Sequence, residues 1–367
     1  MSKIVFLAPT IKTGGGNRVF IELANILCSK HDVSLLYPYN SGDHHTFSKV
    51  SNWQYMVIGK KASTKVTKLL NLCHCIYYVN KHLKDALLII SDPIFCLLIP
   101  FIRNKRRVYR FVQADDYRIY DDGALLGKGS LLKLYKFWCL KSYKQQVTYI
   151  FNSQYVYDKF CVDSKRYDVP FFKVHPAINQ SFFNSVDRVK LSDGVSICLV
   201  ARKHPMKGLI TFINAFHRLS PAIKARISSV SLISHDDLSY YDTSGMQIIS
   251  PTSDSDIAAV YKSSDIFVST SWWEGFGLPP LEAMACGCAV ICSDSGGVNE
   301  FIKPDENCIV FEPKAENELI MAIERMVSVE SLRQYLSVNG VKTAENFSWE
   351  KSAKQLSDIL SVSNITV

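Results

Sequence analysis

The chain has 367 residues, 47% of them apolar and 21% charged, which fits a soluble globular protein with well-filled cores and excludes a disordered or fibrous one. Its net charge of +8 is unevenly spread: residues 1–180 carry 26 Lys and Arg against 12 Asp and Glu, and the remainder carries 16 against 22. A basic half joined to an acidic half suggests that one half meets a polyanion or an anionic surface, although solubilising lysines would give the same count.

A chain this long has two domains as its natural prior. The first strand is predicted over 4–8, a continuous apolar run as expected of a strand buried on both faces. The loop Thr13-Gly14-Gly15-Gly16-Asn17 follows, then a helical pattern carrying Val19, Phe20, Leu23, Ile26 and Leu27, then a strand over 33–37. This is a βαβ unit, the repeating element of a parallel sheet. Further strands are predicted over 55–58, 87–90, 107–112, 148–151 and 173–175, with a helix over 131–143. The apolar stretch 86–102 contains Asp92, Pro93 and Pro100 and falls short of the ~20 apolar residues of a spanning helix, so a buried strand, a turn and a short core helix are expected there. A polar stretch over 179–193 marks a junction. Beyond it come strands over 196–200, 230–234, 247–249, 266–269 and 289–292, and helices over 208–219, 254–263, 280–285 and 316–327. The domain boundaries expected are 1–180, 181–345, and a C-terminal helix over 346–367 that returns to the first domain.

No secretory signal opens the chain, and its eleven cysteines form no disulfide-like framework. The pairs Cys73/Cys75 and Cys286/Cys288 lack the two-residue gap of tetrahedral zinc sites. A cytoplasmic protein with reduced thiols is expected, its basic half able to lie on the inner face of a membrane.

The sharpest signal is Glu274-Gly-Phe-Gly-Leu-Pro-Pro-Leu-Glu282, preceded by Ser271-Trp272-Trp273. Proline is tolerated in a first helical turn, where its missing N–H would have had no partner. The loop therefore leads into a helix whose first N–H groups, at Phe276, Gly277 and Leu278, offer an anion site. Glu282, one turn further in, is placed to meet hydroxyls. A second motif, Val200-Ala-Arg202-Lys-His-Pro-Met-Lys207-Gly208, sits between a strand and a helix and offers a guanidinium and an ammonium to a diphosphate.

The first of these segments resembles the E-x7-E motif of glycosyltransferase family 4. The surroundings agree: Tyr261-Lys-Ser-Ser-Asp265 upstream, and Ala283-Met-Ala-Cys-Gly287, Gly296-Gly297-Val-Asn-Glu300 and Phe347-Ser-Trp349-Glu downstream. Gly14-Gly15-Gly16-Asn17-Arg18 resembles the family's N-terminal glycine loop. The likeness covers residues 1–40 and 196–350 well and the middle poorly. It implies a GT-B type α/β fold, two Rossmann-like domains facing each other across a cleft. It also implies a retaining, metal-independent transfer of a hexose or deoxyhexose from a nucleotide diphosphate sugar to a glycan or lipid-linked acceptor.

By that resemblance Arg202 and Lys207 bind the diphosphate, Glu274 the transferred sugar and Glu282 the ribose. The base lies against backbone near 249–252, ending at Thr252. Gly15 and Gly16 let the backbone approach the donor or the acceptor. No metal, no cofactor besides the donor and no nucleic-acid partner are expected. Where many family members have a His, this chain reads Phe111-Val-Gln113-Ala-Asp115-Asp116. That string is similar to some rhamnosyltransferases and points to surface polysaccharide synthesis. Gln113 can bond sugar hydroxyls, Asn17 and Arg18 join it as acceptor candidates, and Asp115 or Asp116 either orients the acceptor or caps the next turn. A sugar-nucleotide epimerase, a phosphorylase or a non-catalytic binding protein on the same fold are the competing readings.

Overall fold

The computed structural model describes residues 2–9, 15–40, 52–114, 129–189 and 193–362. The chain divides into two compact units, Met1–Pro176 with Trp349–Val367, and Ala177–Ser348.

In the first unit the strands are β1 (Lys3–Leu7), β2 (Asp32–Pro38), β3 (Gln54–Ile58), β4 (Leu87–Ile90), β5 (Val108–Val112) and β6 (Thr148–Phe151). They form one parallel sheet in the order β3-β2-β1-β4-β5-β6. The order reverses direction between β1 and β4, the kind of switch point beside which open α/β sheets bind their ligands. Helices α1 (Gly15–Leu27), α2 (Lys65–His82), α3 (Pro93–Leu98), α4 (Gly129–Ser142) and α5 (Gln154–Ser164) connect them.

The second unit repeats the plan with β7 (Val195–Val200), β8 (Ile227–Ile233), β9 (Gln247–Ile249), β10 (Ile266–Ser269), β11 (Ala289–Ser293) and β12 (Cys308–Phe311), all parallel, in the order β12-β11-β10-β7-β8-β9. Its switch lies between β7 and β10. The longer helices are α6 (Leu209–Arg218), α7 (Asp254–Lys262), α8 (Leu278–Ala285), α9 (Glu316–Ser328) and α10 (Glu330–Ala344). The last helix, α11 (Trp349–Val362), belongs to the first unit and packs on α1. It buries Trp349, Ala353, Leu356 and Leu360, the spacing of one helical face.

Strands 87–90, 148–151, 247–249 and 266–269 have the bounds expected of them. The stretch 173–175 is not a strand: it makes one bridge, Phe151 to Lys173, because Pro170 and Pro176 on either side cannot donate to a ladder. The second unit begins at Ala177 rather than after 180, since Ile178 and Phe183, 2% and 1% exposed, pack into its core. Strand β12 and helices α2, α5 and α10 were not among the predicted elements. In α10 the buried positions are Leu336, Gly340 and Ala344, and a Cβ at Gly340 would sit 3.1 Å from Met284 Cγ on α8. Small residues that let two helices approach closely give no apolar stripe to read.

Burial pushes the thiols of Cys75 and Cys308 up to about 12 and raises those of Cys286 and Cys288 as well, so these cysteines are protonated core residues. Among the described residues no helix is long and apolar enough to cross a membrane.

Candidate active site

In the second unit the loops that follow β7 and β10 hold the residues singled out from the sequence. After β7 the chain runs through Arg202 into a short 3-10 turn, Pro205–Lys207, and Gly208 then opens α6 at φ 64°. A Cβ at Gly208 would lie 2.0 Å from the Thr270 carbonyl oxygen, so only glycine lets this turn lie against the end of β10. Two hydrogen bonds hold it there: Thr270 Oγ1 donates to the Lys207 carbonyl at 2.9 Å, and the Trp272 N–H donates to the Met206 carbonyl at 2.7 Å.

That docking brings Lys207 to Glu274. The Lys207 ammonium donates to Glu274 Oε1, and both side chains are half-buried to buried, 28% and 15% exposed. Ser271 Oγ donates to the same oxygen at 2.7 Å. The backbone of Glu274 is clamped on both sides, its N–H donating to Ser295 O at 2.8 Å and its carbonyl accepting from Gly297 N–H at 3.0 Å. Gly297 is required there, since its Cβ would meet the Gly275 carbonyl carbon and oxygen at 2.2 Å.

Gly277, at φ 90°, caps α8, whose first turn carries Pro279 and Pro280. Among the described residues the N–H groups of Gly277 and Leu278 have no acceptor, the arrangement in which a helix start can receive an anion. Phe276 contributes backbone only: its ring is buried against Phe301 and Phe347. Glu282 lies on the inward side of α8, 5% exposed, near the fully buried Tyr261. Burial, and then the Glu282 charge, hold the Tyr261 hydroxyl well above its usual range, so it stays protonated.

Arg202 lies 3.7 Å from Asp236, whose other oxygen accepts from Lys203 N–H at 2.7 Å. Thr252 follows β9, and both its N–H and its hydroxyl donate to Asp256 Oδ2 in the cap of α7. Its side chain is thereby committed to the helix start. Those bonds hold the Asp256 carboxyl below the ordinary range, the Thr252 hydroxyl first among them.

The first unit gathers a second set at its own switch. The side chain of Gln113, just past β5, donates to Ser91 Oγ at 3.1 Å and to the Gly16 carbonyl at 3.4 Å, and the Gln113 backbone carbonyl accepts from Asn152 Nδ2 at 2.6 Å. Gly15 and Gly16 are exposed at the start of α1, Asn17 is half-buried, and Arg18 is folded in at 7% exposure. Asp115 and Asp116 lie outside the described residues. Ser271, Thr270, Asp236 and Ser91 carried no role in the sequence reading. The only signal for Ser271 was its place three residues before Glu274.

Residues 184–343 match the family model described as glycosyl transferases group 1. Relatives agree on the class. An uncharacterized glycosyltransferase of Methanocaldococcus jannaschii is 36% identical over 104 residues, 28% of this chain and 27% of its own. A D-inositol 3-phosphate glycosyltransferase of Rhodococcus erythropolis is 28% identical over 44% of this chain and 40% of its own. An O-antigen chain mannosyltransferase B of Escherichia coli is 33% identical over 28% of this chain and 26% of its own. The match thus spans less than half the length of each of these relatives.

Among solved structures, a sucrose-phosphate synthase of Thermosynechococcus elongatus superposes with a TM-score of 0.83 at 17% identity, covering 100% of both chains. Anabaena HepE in complex with UDP and glucose gives 0.73 at 15% identity, over 99% of this chain and 100% of its own. At these identities the likeness concerns the fold, which is that of the GT-B glycosyltransferases.

Proposed function

We propose that the protein is a retaining glycosyltransferase that moves a hexose or deoxyhexose from a nucleoside diphosphate sugar to a glycan or lipid-linked acceptor. The observation that carries this reading is the meeting, at the switch of the second unit, of Lys207 with Glu274 beside the first-turn amides of α8. A leaving diphosphate takes the electron pair of the glycosidic bond and gains negative charge as it departs. Fixed cations and helix-end amides stabilise that charge without reorganising at the moment of reaction.

In this reading Arg202, Lys207 and the amides of Gly277 and Leu278 receive the diphosphate. Glu274 accepts from hydroxyls of the transferred sugar, and Glu282 from the ribose. The base lies against the backbone that ends at Thr252, whose carbonyl is the group left to offer. The reading invokes no metal, the leaving oxygen itself taking the acceptor's proton on the same face. Gln113, Gly16 and Asn17, gathered at the first unit's own switch, are the acceptor contacts in this reading. A screen of UDP-, GDP- and dTDP-sugars by thermal shift tests it: at least one should raise Tm, and no response to any would refute it. Substituting Glu282→Ala should weaken binding of the responding nucleotide about tenfold, as loss of hydrogen bonds to a charged group does. Titration calorimetry reads this directly, and unchanged affinity would remove Glu282 from the site.

The excess of basic residues in the first unit is the feature that favours an acceptor drawn from an anionic membrane surface. Helix α2 exposes Val66, Leu69, Leu70 and Tyr77, with Lys60, Lys61, Lys65 and Lys68 exposed around its start. The protein should co-sediment with phosphatidylglycerol vesicles at low salt and release at high salt. Equal recovery with purely zwitterionic vesicles would count against an electrostatic attachment.

A further inference from the structure

We propose that Ser271 is a positioning residue that decides which oxygen of Glu274 faces the transferred sugar; this rests on the reading of Glu274 as a sugar contact.

Both protein donors to this carboxylate, Lys207 Nζ and Ser271 Oγ, fall on Oε1. Among the described residues Oε2 receives none, so it is the oxygen left to accept from a ligand hydroxyl. The two donors are not equivalent. An ammonium is a compact charge on a flexible stem and binds either carboxylate oxygen, or both, with little preference. The terminal torsion of a glutamate is broad and roughly two-fold, so an ammonium alone would not fix it. A serine hydroxyl 2.7 Å away is directional, and this one is held firmly. Ser271 is 5% exposed, and its carbonyl accepts from Ser293 Oγ at 2.6 Å, with Ser293 fully buried. The Glu274 backbone is clamped by Ser295 and Gly297, so the remaining freedom lies in the side chain. Ser271 removes it. Without that hydroxyl the carboxylate turns and Lys207 spans both oxygens, withdrawing the acceptor from the sugar while leaving the diphosphate cations in place.

The test is a titration of UDP-glucose, GDP-mannose and dTDP-rhamnose, each beside its free nucleoside diphosphate, into the intact chain and three variants: Ser271→Ala, Glu274→Gln and the pair. With the sugar nucleotide that the unaltered chain binds, Ser271→Ala should weaken affinity about tenfold. It should change affinity for the matching diphosphate by no more than about twofold, within the error of additivity for a contact it does not touch. The double variant should bind no more weakly than Glu274→Gln alone. Equal losses for sugar nucleotide and diphosphate would assign Ser271 a general structural role and overturn the proposal, as would no loss at all. If Glu274→Gln also leaves sugar-nucleotide binding intact, or the unaltered chain binds none of the three, the reading of Glu274 itself falls and takes this one with it.

Discussion

Replacing Lys207 by alanine should lower the rate of sugar transfer about 10²–10³-fold, the loss usual when one preorganised donor to a developing anion is removed. Three features of its surroundings set that expectation. The ammonium comes from a turn that Thr270 and Trp272 pin to the end of β10, so it is preorganised beside Glu274. Its partner Glu274 is 15% exposed and would be left with the Ser271 hydroxyl alone. The Lys207 side chain is 28% exposed, so solvent screens the pair and the cost to folding should be near 1 kcal/mol, or a few degrees in Tm. Release of nucleoside diphosphate from the responding sugar nucleotide, with water or an added glycan taking the sugar, measures the first effect and thermal unfolding the second. A large fall in Tm with transfer per folded molecule unchanged would make Lys207 a structural residue.

The second large effect is on stability. Substituting Gly208→Ala should cost about 3 kcal/mol: roughly 1–2 from forcing an L-residue to φ 64°, and a similar amount from overpacking. The new methyl would meet the Thr270 carbonyl oxygen at 2.0 Å and its carbon at 2.9 Å, which are backbone atoms that no rotamer change can move aside. For a domain of this size the fall in Tm should be about 6–12 °C. Relief of the clash must push the turn off β10 and carry Lys207 from Glu274, so the variant should also lose its response to the donor at temperatures where it remains folded. A Tm within about 2 °C of the parent, less than 1 kcal/mol for a domain this large, would contradict the close approach described here.

What could be read beforehand, and what could not, follows from range. Strands such as Leu87–Ile90 and Ile266–Ser269 are short, mostly apolar runs with turn or polar residues close by, and run length together with those flanks sets their limits. Helix α2 escaped because its outward face also carries Val66, Leu69, Leu70 and Tyr77, so no contrast between faces marks it. At the site, the residue types at 202, 207, 274 and 282 were legible as chemistry. The contact between Lys207 and Glu274 was not, for 67 positions separate them and only the adjacency of β7 and β10 joins their loops. Ser271, Thr270 and Asp236 are ordinary loop residues until that adjacency is known. Thr252 was marked for the donor through its backbone alone, and its side chain is spent on capping α7.

The proposed function requires a diphosphate site in the loops at the second unit's switch. Isothermal titration of UDP against UMP, and of GDP against GMP, measures it in the unaltered chain and in Lys207→Ala. The diphosphate of the preferred base should bind at least about tenfold tighter than its monophosphate, and most of that gap should close in the variant. Equal affinity for the two in the unaltered chain, or a gap that survives the loss of Lys207, would contradict the account.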